Sequence, residues 1–182
     1  MSKKYIYAFK DGDGKNKKLL GGKGANLCEM SQIGLPIPPG FVITTEACLA
    51  YLRQKKEGLQ PAIKKELRAA MEQLEQVTAK GFGNPDNPLL ISVRSGAAIS
   101  MPGMMDTILN LGLNDQTVAG LIQLARNERF AYDLYRRLIQ LFGSVALKIE
   151  DDAFNAIWND IKKANHAKQD TQLSTEALKQ AC

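Results

Sequence analysis

The stretch LLGGKGANLCEM, Leu19 to Met30, carries the strongest structural signal in the chain. The three glycines around Lys23 lack a β-carbon, so the backbone here can bend sharply and approach a ligand closely. Apolar residues then recur at helical spacing from Ala25 to Ile33, and Gly34 ends the pattern. We therefore predict a glycine-rich loop, Gly21 to Gly24, that leads into the N-terminus of a helix.

Such a loop suits an anionic ligand. Successive backbone N–H groups and the positive end of the following helix attract an anion, and Lys23 adds an ammonium group that a polyphosphate oxygen would attract. The motif is not the G-x-x-x-x-G-K-[ST] phosphate loop, however, and a glycine-rich turn before a helix is more often only a turn. Taken alone, the residues leave both interpretations open.

Short apolar patterns flank this motif on both sides. Alternating residues predict strands, and apolar stripes at helical spacing predict helices. The predicted strands are Tyr5 to Phe9 and Phe41 to Thr44, and the predicted helices are Glu46 to Arg53, capped by Thr44 or Thr45, and Pro61 to Gln76.

A second glycine-containing segment follows the apolar run Leu89 to Val93, which we interpret as a buried strand that ends at Arg94. Ser95 and Gly96 begin the small-residue turn that comes next. A guanidinium at this position has the forked geometry that suits a phosphate. The alternative is a structural arginine paired with a carboxylate, and spacing alone does not decide between the two.

The segment SMPGMMDT, Ser100 to Thr107, is rich in methionine around a Pro-Gly turn that contains Gly103 and Met104. Because methionine packs adaptably, this segment is a candidate apolar flap over a nucleotide; it could equally be loop residues folded into the core. Asp106 is a candidate ligand for a substrate or a metal, although an Asp in this setting more often makes a local turn bond.

Composition and charge favour a soluble globular protein. The chain has 182 residues, 45% of them hydrophobic, and a formal net charge of +5 without a basic stripe, so we expect neither nucleic-acid nor membrane binding. Three cysteines without metal-ligand spacing predict a reduced, cytoplasmic setting. A strand, Ile108 to Leu111, is predicted before Gly112, and helices alone follow from Asp115. The predicted organisation is an α/β lobe, residues 1–112, followed by a helical lobe, residues 113–182.

Three long segments resemble the pyruvate, phosphate dikinases in the same order: Leu19 to Met30, ISVRSGAAISMPGMMDTILNLGLND (Ile91 to Asp115) and RFAYDLYRRLIQLFGSV (Arg129 to Val145). A phosphoenolpyruvate synthase-like ATP-binding domain is the alternative, but that family typically has a Gln-Gln pair where this chain has Met104-Met105. The resemblance implies an α/β (α+β) fold, the N-terminal lobe of an ATP-grasp nucleotide-binding domain.

By the same resemblance, Lys23 and Arg94 match the family's ATP-phosphate contacts, and Ser95, Gly96, Gly103 and Met104 match the adjoining turn and covering loop. The family converts ATP, phosphate and pyruvate into AMP, pyrophosphate and phosphoenolpyruvate, reversibly, through a phosphohistidine. The expected cofactors are ATP as substrate and Mg²⁺ in the full-length enzyme, which is expected to be a homo-oligomer.

The chain also departs from the family pattern. Family members are several times longer, and their metal-binding, phosphohistidine and pyruvate-binding parts follow the region matched here. The chain's one histidine, His166, lies in a polar tail and is expected to be an exposed bystander. We therefore expect a fragment of a larger dikinase with no catalytic residue or metal ligand of its own. The alternative is a natural truncated product, a non-catalytic nucleotide-binding or interaction module.

Overall fold

The computed structural model describes residues 3–53, 58–95 and 106–182. These residues form two compact units. The first contains residues 3–53 and 58–79 together with Ser95, and the second contains residues 80–94 and 106–182. Among the described helices, none combines the length and hydropathy that a membrane span requires.

The first unit joins a two-stranded antiparallel sheet to three helices. Ile6 of the first strand lies opposite Ile43 of the second. The strands and helices predicted on either side of the glycine-rich motif are confirmed within a few residues. In chain order the elements are β1 (Ile6–Ala8), α1 (Lys17–Gln32), β2 (Phe41–Ile43), α2 (Thr45–Arg53) and α3 (Pro61–Thr78).

The core of this unit lies between α1 and β2. Leu20, Ala25, Cys28 and Val42 are buried there. A β-carbon added at Gly12 would lie 2.5 Å from Cys28 Sγ, so the loop before α1 needs glycine at this point. Burial raises the pKa of the Cys28 thiol, which keeps it neutral in the apolar core.

Two polar contacts fix the remaining elements of the first unit. The carboxylate oxygen Oε2 of Glu66 on α3 accepts hydrogen bonds from the backbone N–H groups of Tyr5 (2.7 Å) and Ile6 (2.9 Å) on and beside β1. Thr44 is fully buried, and its Oγ1 accepts from the N–H of Ala47 at 3.2 Å. Thr44, not Thr45, is therefore the residue that caps α2.

The second unit packs a two-stranded antiparallel sheet against helices. Arg94 lies opposite Thr107, and the register shifts between Ile91 and Val93. Ile108, Leu113 and Leu138 are buried at the centre of this packing. The elements are β3 (Ile91–Arg94), β4 (Thr107–Leu111), α4 (Thr117–Ala125), α5 (Glu128–Leu141), a π-helical turn (Phe142–Ala146), α6 (Asp151–Ala164), a 3₁₀ turn (Asp170–Gln172) and α7 (Thr175–Gln180).

The prediction of a buried strand from Leu89 to Val93 was wrong in its start and its burial. The strand begins at Ile91, and Val93 is 44% exposed. Leu89 is buried, but it lies before the ladder. Because β3 pairs only with β4 among the described strands, it forms an edge and leaves one side open.

Trp158 on α6 organises the helical part of the second unit. Its indole N–H donates to Asp170 Oδ1 at 3.0 Å, and the Arg136 guanidinium lies 4.1 Å from the ring centroid. Arg129 donates to the carbonyl oxygens of Leu173 and Asp170 at 2.8 and 2.7 Å. These contacts join α5 and α6 to the turn before α7. The helices expected after Asp115 are thus present, and the lobe boundary expected at residue 112 stays a prediction.

Candidate functional site

The glycine-rich motif is not the loop that the sequence predicted. Residues Gly22 to Gly24 are helical, and α1 already begins at Lys17, where the Asn16 side chain accepts from the N–H of Leu19. Only Gly21 leaves helical geometry, with φ 70° and ψ 163°, a conformation essentially restricted to glycine. One strained residue thus divides α1 into two segments, and Gly22 to Gly24 form the first turn of the second.

Thr45 bridges this interruption from the start of α2. Its hydroxyl oxygen lies 2.8 Å from the carbonyl oxygen of Lys18 and 3.2 Å from that of Leu19, so its single hydrogen is shared between these two acceptors. In an uninterrupted α-helix these two carbonyls would accept from the N–H groups of Gly22 and Lys23. The hydroxyl therefore satisfies the end of the first helical segment.

Lys23 lies on the second helical segment. In sequence it falls between the carbonyls that Thr45 contacts and Gly24, which packs against Val42. Its side chain is half-buried, and no described carboxylate forms an ion pair with it. The next residue, Gly24, lies so close to β2 that an added β-carbon would come within 2.8 Å of Val42 Cγ1. Gly24 is therefore a glycine because a larger residue would not fit against Val42. The ammonium group of Lys23 forms no described ion pair and can contact an anion.

Arg94 is the last residue of β3, as the sequence predicted, and it is exposed. Within residues 3–53, 58–95 and 106–182 its guanidinium has no carboxylate partner. Arg136 offers a contrast, since it is buried, lies 3.5 Å from Asp133 and donates to Gln140. The alternative that Arg94 is a structural, carboxylate-paired arginine is therefore not supported by the described contacts.

The remaining candidate residues divide between described and undescribed parts of the chain. Ser95 is exposed and has a bonding partner. Gly96, Gly103 and Met104, with the predicted methionine flap, lie outside the described residues. Asp106 forms an exposed ion pair of 3.8 Å with Lys148, and its role as a ligand or as a turn residue stays a prediction.

The charged candidate side chains for phosphate binding that the structure describes, Lys23 and Arg94, are both cationic. No three His, Cys, Asp or Glu side chains of the described chain come together as a metal site. His166 is exposed, as expected, and follows α6 in a left-handed conformation. Lys23 lies in the first unit and Arg94 in the second, each without a described counter-ion. Their convergence on one ligand stays a prediction.

Sequence reasoning missed two residues that shape the first unit. Thr45 was considered only as a cap, and Gln32 was not considered. The Gln32 side-chain amide donates to the carbonyl oxygens of Lys10 (3.3 Å) and Gly12 (2.6 Å), which holds the loop before α1 against the helix. Both residues act on partners more than 19 positions away, so no local pattern identifies them.

Comparison with known proteins gives a consistent family. A family model described as "Pyruvate phosphate dikinase, AMP/ATP-binding domain" matches residues 17–81. Pyruvate, phosphate dikinase of Entamoeba histolytica is 54% identical over 178 residues, 96% of this chain and 20% of the relative. The Clostridium symbiosum enzyme is 46% identical over 97% of this chain and 20% of its own length, and pyruvate, phosphate dikinase 2 of Zea mays is 48% identical over 93% and 19%. The chain spans about one fifth of the length of these relatives.

Proposed function

We propose that the chain forms the first part of the ATP-binding domain of a pyruvate, phosphate dikinase, because the family model of that domain matches residues 17–81 and a dikinase is 54% identical over 96% of the chain. The complete enzyme converts ATP, phosphate and pyruvate into AMP, pyrophosphate and phosphoenolpyruvate through a phosphohistidine. This chain supplies cationic contacts to the ATP phosphates, and alone it does not catalyse the reaction. The observation that carries the proposal is Arg94, exposed at a strand end without a described counter-ion.

Two different cations serve this role in different ways. Arg94 presents a planar fork that binds two phosphate oxygens at once, whereas Lys23 is a point charge on a flexible stem. Each charge-assisted hydrogen bond to phosphate contributes roughly 1.5–3 kcal/mol. Phosphoryl transfer depends mainly on positioning and charge stabilisation, so losing either cation reduces both binding and reaction of ATP.

The other components come from outside this chain. We expect Mg²⁺ to enter with ATP, whose phosphate oxygens suit its coordination. The histidine acceptor and the pyruvate site belong to the remaining domains, which are the chain's partners in a homo-oligomeric enzyme. All three cysteines are free thiols, in keeping with a reducing cytoplasm.

A chimaeric dikinase tests the proposal, with this chain in place of the matching fifth of the 54% identical Entamoeba histolytica enzyme. We expect the chimaera to transfer ³²P from [β-³²P]ATP to its histidine. Arg94→Ala should lower the rate of this labelling at least about tenfold, in line with the loss of one or two charge-assisted bonds. Arg94→Lys, which keeps the charge without the fork, should recover only part of it.

Labelling of the same histidine from [³²P]phosphoenolpyruvate is the matched control, because that half-reaction does not use the ATP site. It should be unchanged in Arg94→Ala, which shows that the domains that carry the histidine and the pyruvate site are intact. Circular dichroism of the 182-residue chain with Arg94→Ala checks that this chain itself remains folded. Normal labelling from ATP in Arg94→Ala would remove Arg94 from the site. A chimaera that is labelled from phosphoenolpyruvate but never from ATP would favour a non-catalytic module instead.

A further inference from the structure

We propose that Thr45 is a positioning residue for ATP: its hydroxyl holds the break in α1 at Gly21 and thereby sets the direction of Lys23. This inference rests on the proposed function, because it gives Lys23 the role of a phosphate ligand. The family comparison identifies the domain and does not assign a role to Thr45.

The first step of the argument is that Lys23 lies just after the break. Each α-helical residue advances the helix by about 100°, so the direction of a side chain depends on how the turn before it is closed. Gly21 interrupts that closure two residues before Lys23. If the break relaxed into regular helix, Lys23 would emerge from a different side of α1.

The second step is that one short piece of chain holds both sides of the break. On the far side, Val42 of β2 lies against Gly24 with no room for a β-carbon. On the near side, the Thr45 hydroxyl bonds to the carbonyl oxygens of Lys18 and Leu19. Residues 42 to 45 therefore act as a clamp, and Lys23 lies between its two contact points.

The third step excludes the usual role for a threonine at this position. Capping of α2 is done by Thr44, whose buried Oγ1 accepts from the N–H of Ala47. The Thr45 hydroxyl instead donates across 26 and 27 residues to α1. If the hydroxyl is removed, α2 remains capped. The carbonyls of Lys18, which is exposed at this bond, and of Leu19, which is partly buried, then lack this donor, which favours relaxation of the break.

Thr45→Val tests the proposal because it removes the donor and keeps the shape. In the chimaeric dikinase we expect the KM for ATP to rise about tenfold in ATP-dependent histidine labelling, while the KM for pyruvate and labelling from phosphoenolpyruvate stay unchanged. Thr45→Ser keeps the hydroxyl and should remain within about twofold of the parent. Tenfold corresponds to the loss of roughly one hydrogen bond.

Thr78→Val is the matched control. The Thr78 hydroxyl also donates to helix carbonyls in the same unit, those of Leu74 (2.8 Å) and Glu75 (3.3 Å), but far along the chain from the break. It should change stability without changing the KM for ATP. An equal KM increase in Thr78→Val would mean that general loosening of the unit explains the effect, and would overturn the proposal.

Lys23→Met separates the inference from the proposed function. A raised KM for ATP in both Lys23→Met and Thr45→Val supports the two together. A raised KM in Lys23→Met with a normal Thr45→Val overturns the positioning role and leaves the function standing. A normal Lys23→Met overturns both assignments to this helix.

A structural measurement keeps the proposal falsifiable if Thr45→Val folds poorly in the chimaera. In the 182-residue chain, the backbone NMR resonances of Gly21, the one non-helical residue inside α1, should move toward helical values in Thr45→Ala and stay in place in Thr45→Ser. Unmoved resonances in Thr45→Ala would show that the hydroxyl does not hold the break, and would overturn the proposal.

Discussion

Gly24 lies against Val42 with less room than a methyl group needs, since an added β-carbon would approach Val42 Cγ1 to 2.8 Å and Cγ2 to 3.0 Å. In an exposed helix, Gly→Ala stabilises by about 1 kcal/mol. Here overpacking against a stiff β-branched side chain costs about 1–3 kcal/mol. At this position we therefore expect the steric cost to exceed the gain in helix propensity.

We expect Gly24→Ala to lower the free energy of unfolding by roughly 1 kcal/mol, measured by urea denaturation with circular dichroism. In a Val42→Ala background the obstacle is gone, so the same change should raise stability. A destabilising Gly24→Ala in both backgrounds would contradict the close contact with Val42.

At this scale the sequence located one strand end correctly, since Arg94 ends β3. The assignment of Lys23 and Arg94 to the ATP phosphates came from the family resemblance and stays a prediction. The helical state of Gly22 to Gly24 could not be predicted, because glycine's helix propensity is low and here the fit against Val42 overrides it. The partners of Thr45 were equally inaccessible, since they lie in another element.

Helix α3 is joined to β1 by one carboxylate. Glu66 Oε2 accepts from two consecutive backbone N–H groups, those of Tyr5 and Ile6, at an edge of the sheet where no described strand pairs. Hydrogen bonds to an ionised acceptor contribute roughly 1.5–3 kcal/mol, and removing the acceptor leaves half-buried donors unpaired. This contact therefore anchors the helix to the sheet.

We expect Glu66→Ala to destabilise the first unit by about 2 kcal/mol in urea denaturation. Glu72→Ala is the matched control, because Glu72 is exposed on the same helix and no described residue partners it. It should change stability by less than about 0.5 kcal/mol. Equal effects of the two substitutions would mean that the contact contributes nothing beyond helix propensity.

Element prediction succeeded where a pattern is long and failed where it is short. The apolar stripe predicted α3 almost to its ends, because an apolar pattern that repeats at helical spacing over 18 residues fits a helix and does not fit a strand. The strand before Arg94 was placed two residues early, since the buried Leu89 looks the same in sequence whether it lies in a ladder or before one. Pairing with β4 determines where the strand begins, and this pairing depends on residues that are distant in the sequence.

At the scale of the whole molecule, the chain divides the predicted ATP contacts between two compact units, with Lys23 in one and Arg94 in the other. The chain spans about one fifth of the length of the relatives that it matches. We therefore expect the isolated chain to bind ATP weakly, because we expect residues outside it to be needed to complete the ATP site.

Titration calorimetry with Mg²⁺-ATP should show a dissociation constant above about 1 mM for the 182-residue chain, equivalent to less than roughly 4 kcal/mol of binding free energy. The chimaeric dikinase should bind ATP tightly under the same conditions. Tight, magnesium-dependent binding by the isolated chain would show that it already contains the complete cleft.

Family and fold class were accessible from sequence at this scale because long ordered motifs carry them. The lobe boundary expected at residue 112 stays a prediction, and the compact units of the structure are a separate observation. Sequence composition changes near residue 112, yet β3 and β4 share a compact unit with the helices that follow. Ile108 packs in the same buried cluster as Leu138, which is 30 residues away, and local composition does not indicate such a contact.

Trp158 has a practical consequence for following this molecule in solution. It is the chain's single tryptophan, and its ring is fixed by Asp170 and Arg136 within the helices of the second unit. Intrinsic emission therefore reports the melting of that helical cluster, whereas circular dichroism sums the signal of both units. A difference between the midpoints of the two melting curves would show that the two units differ in thermal stability.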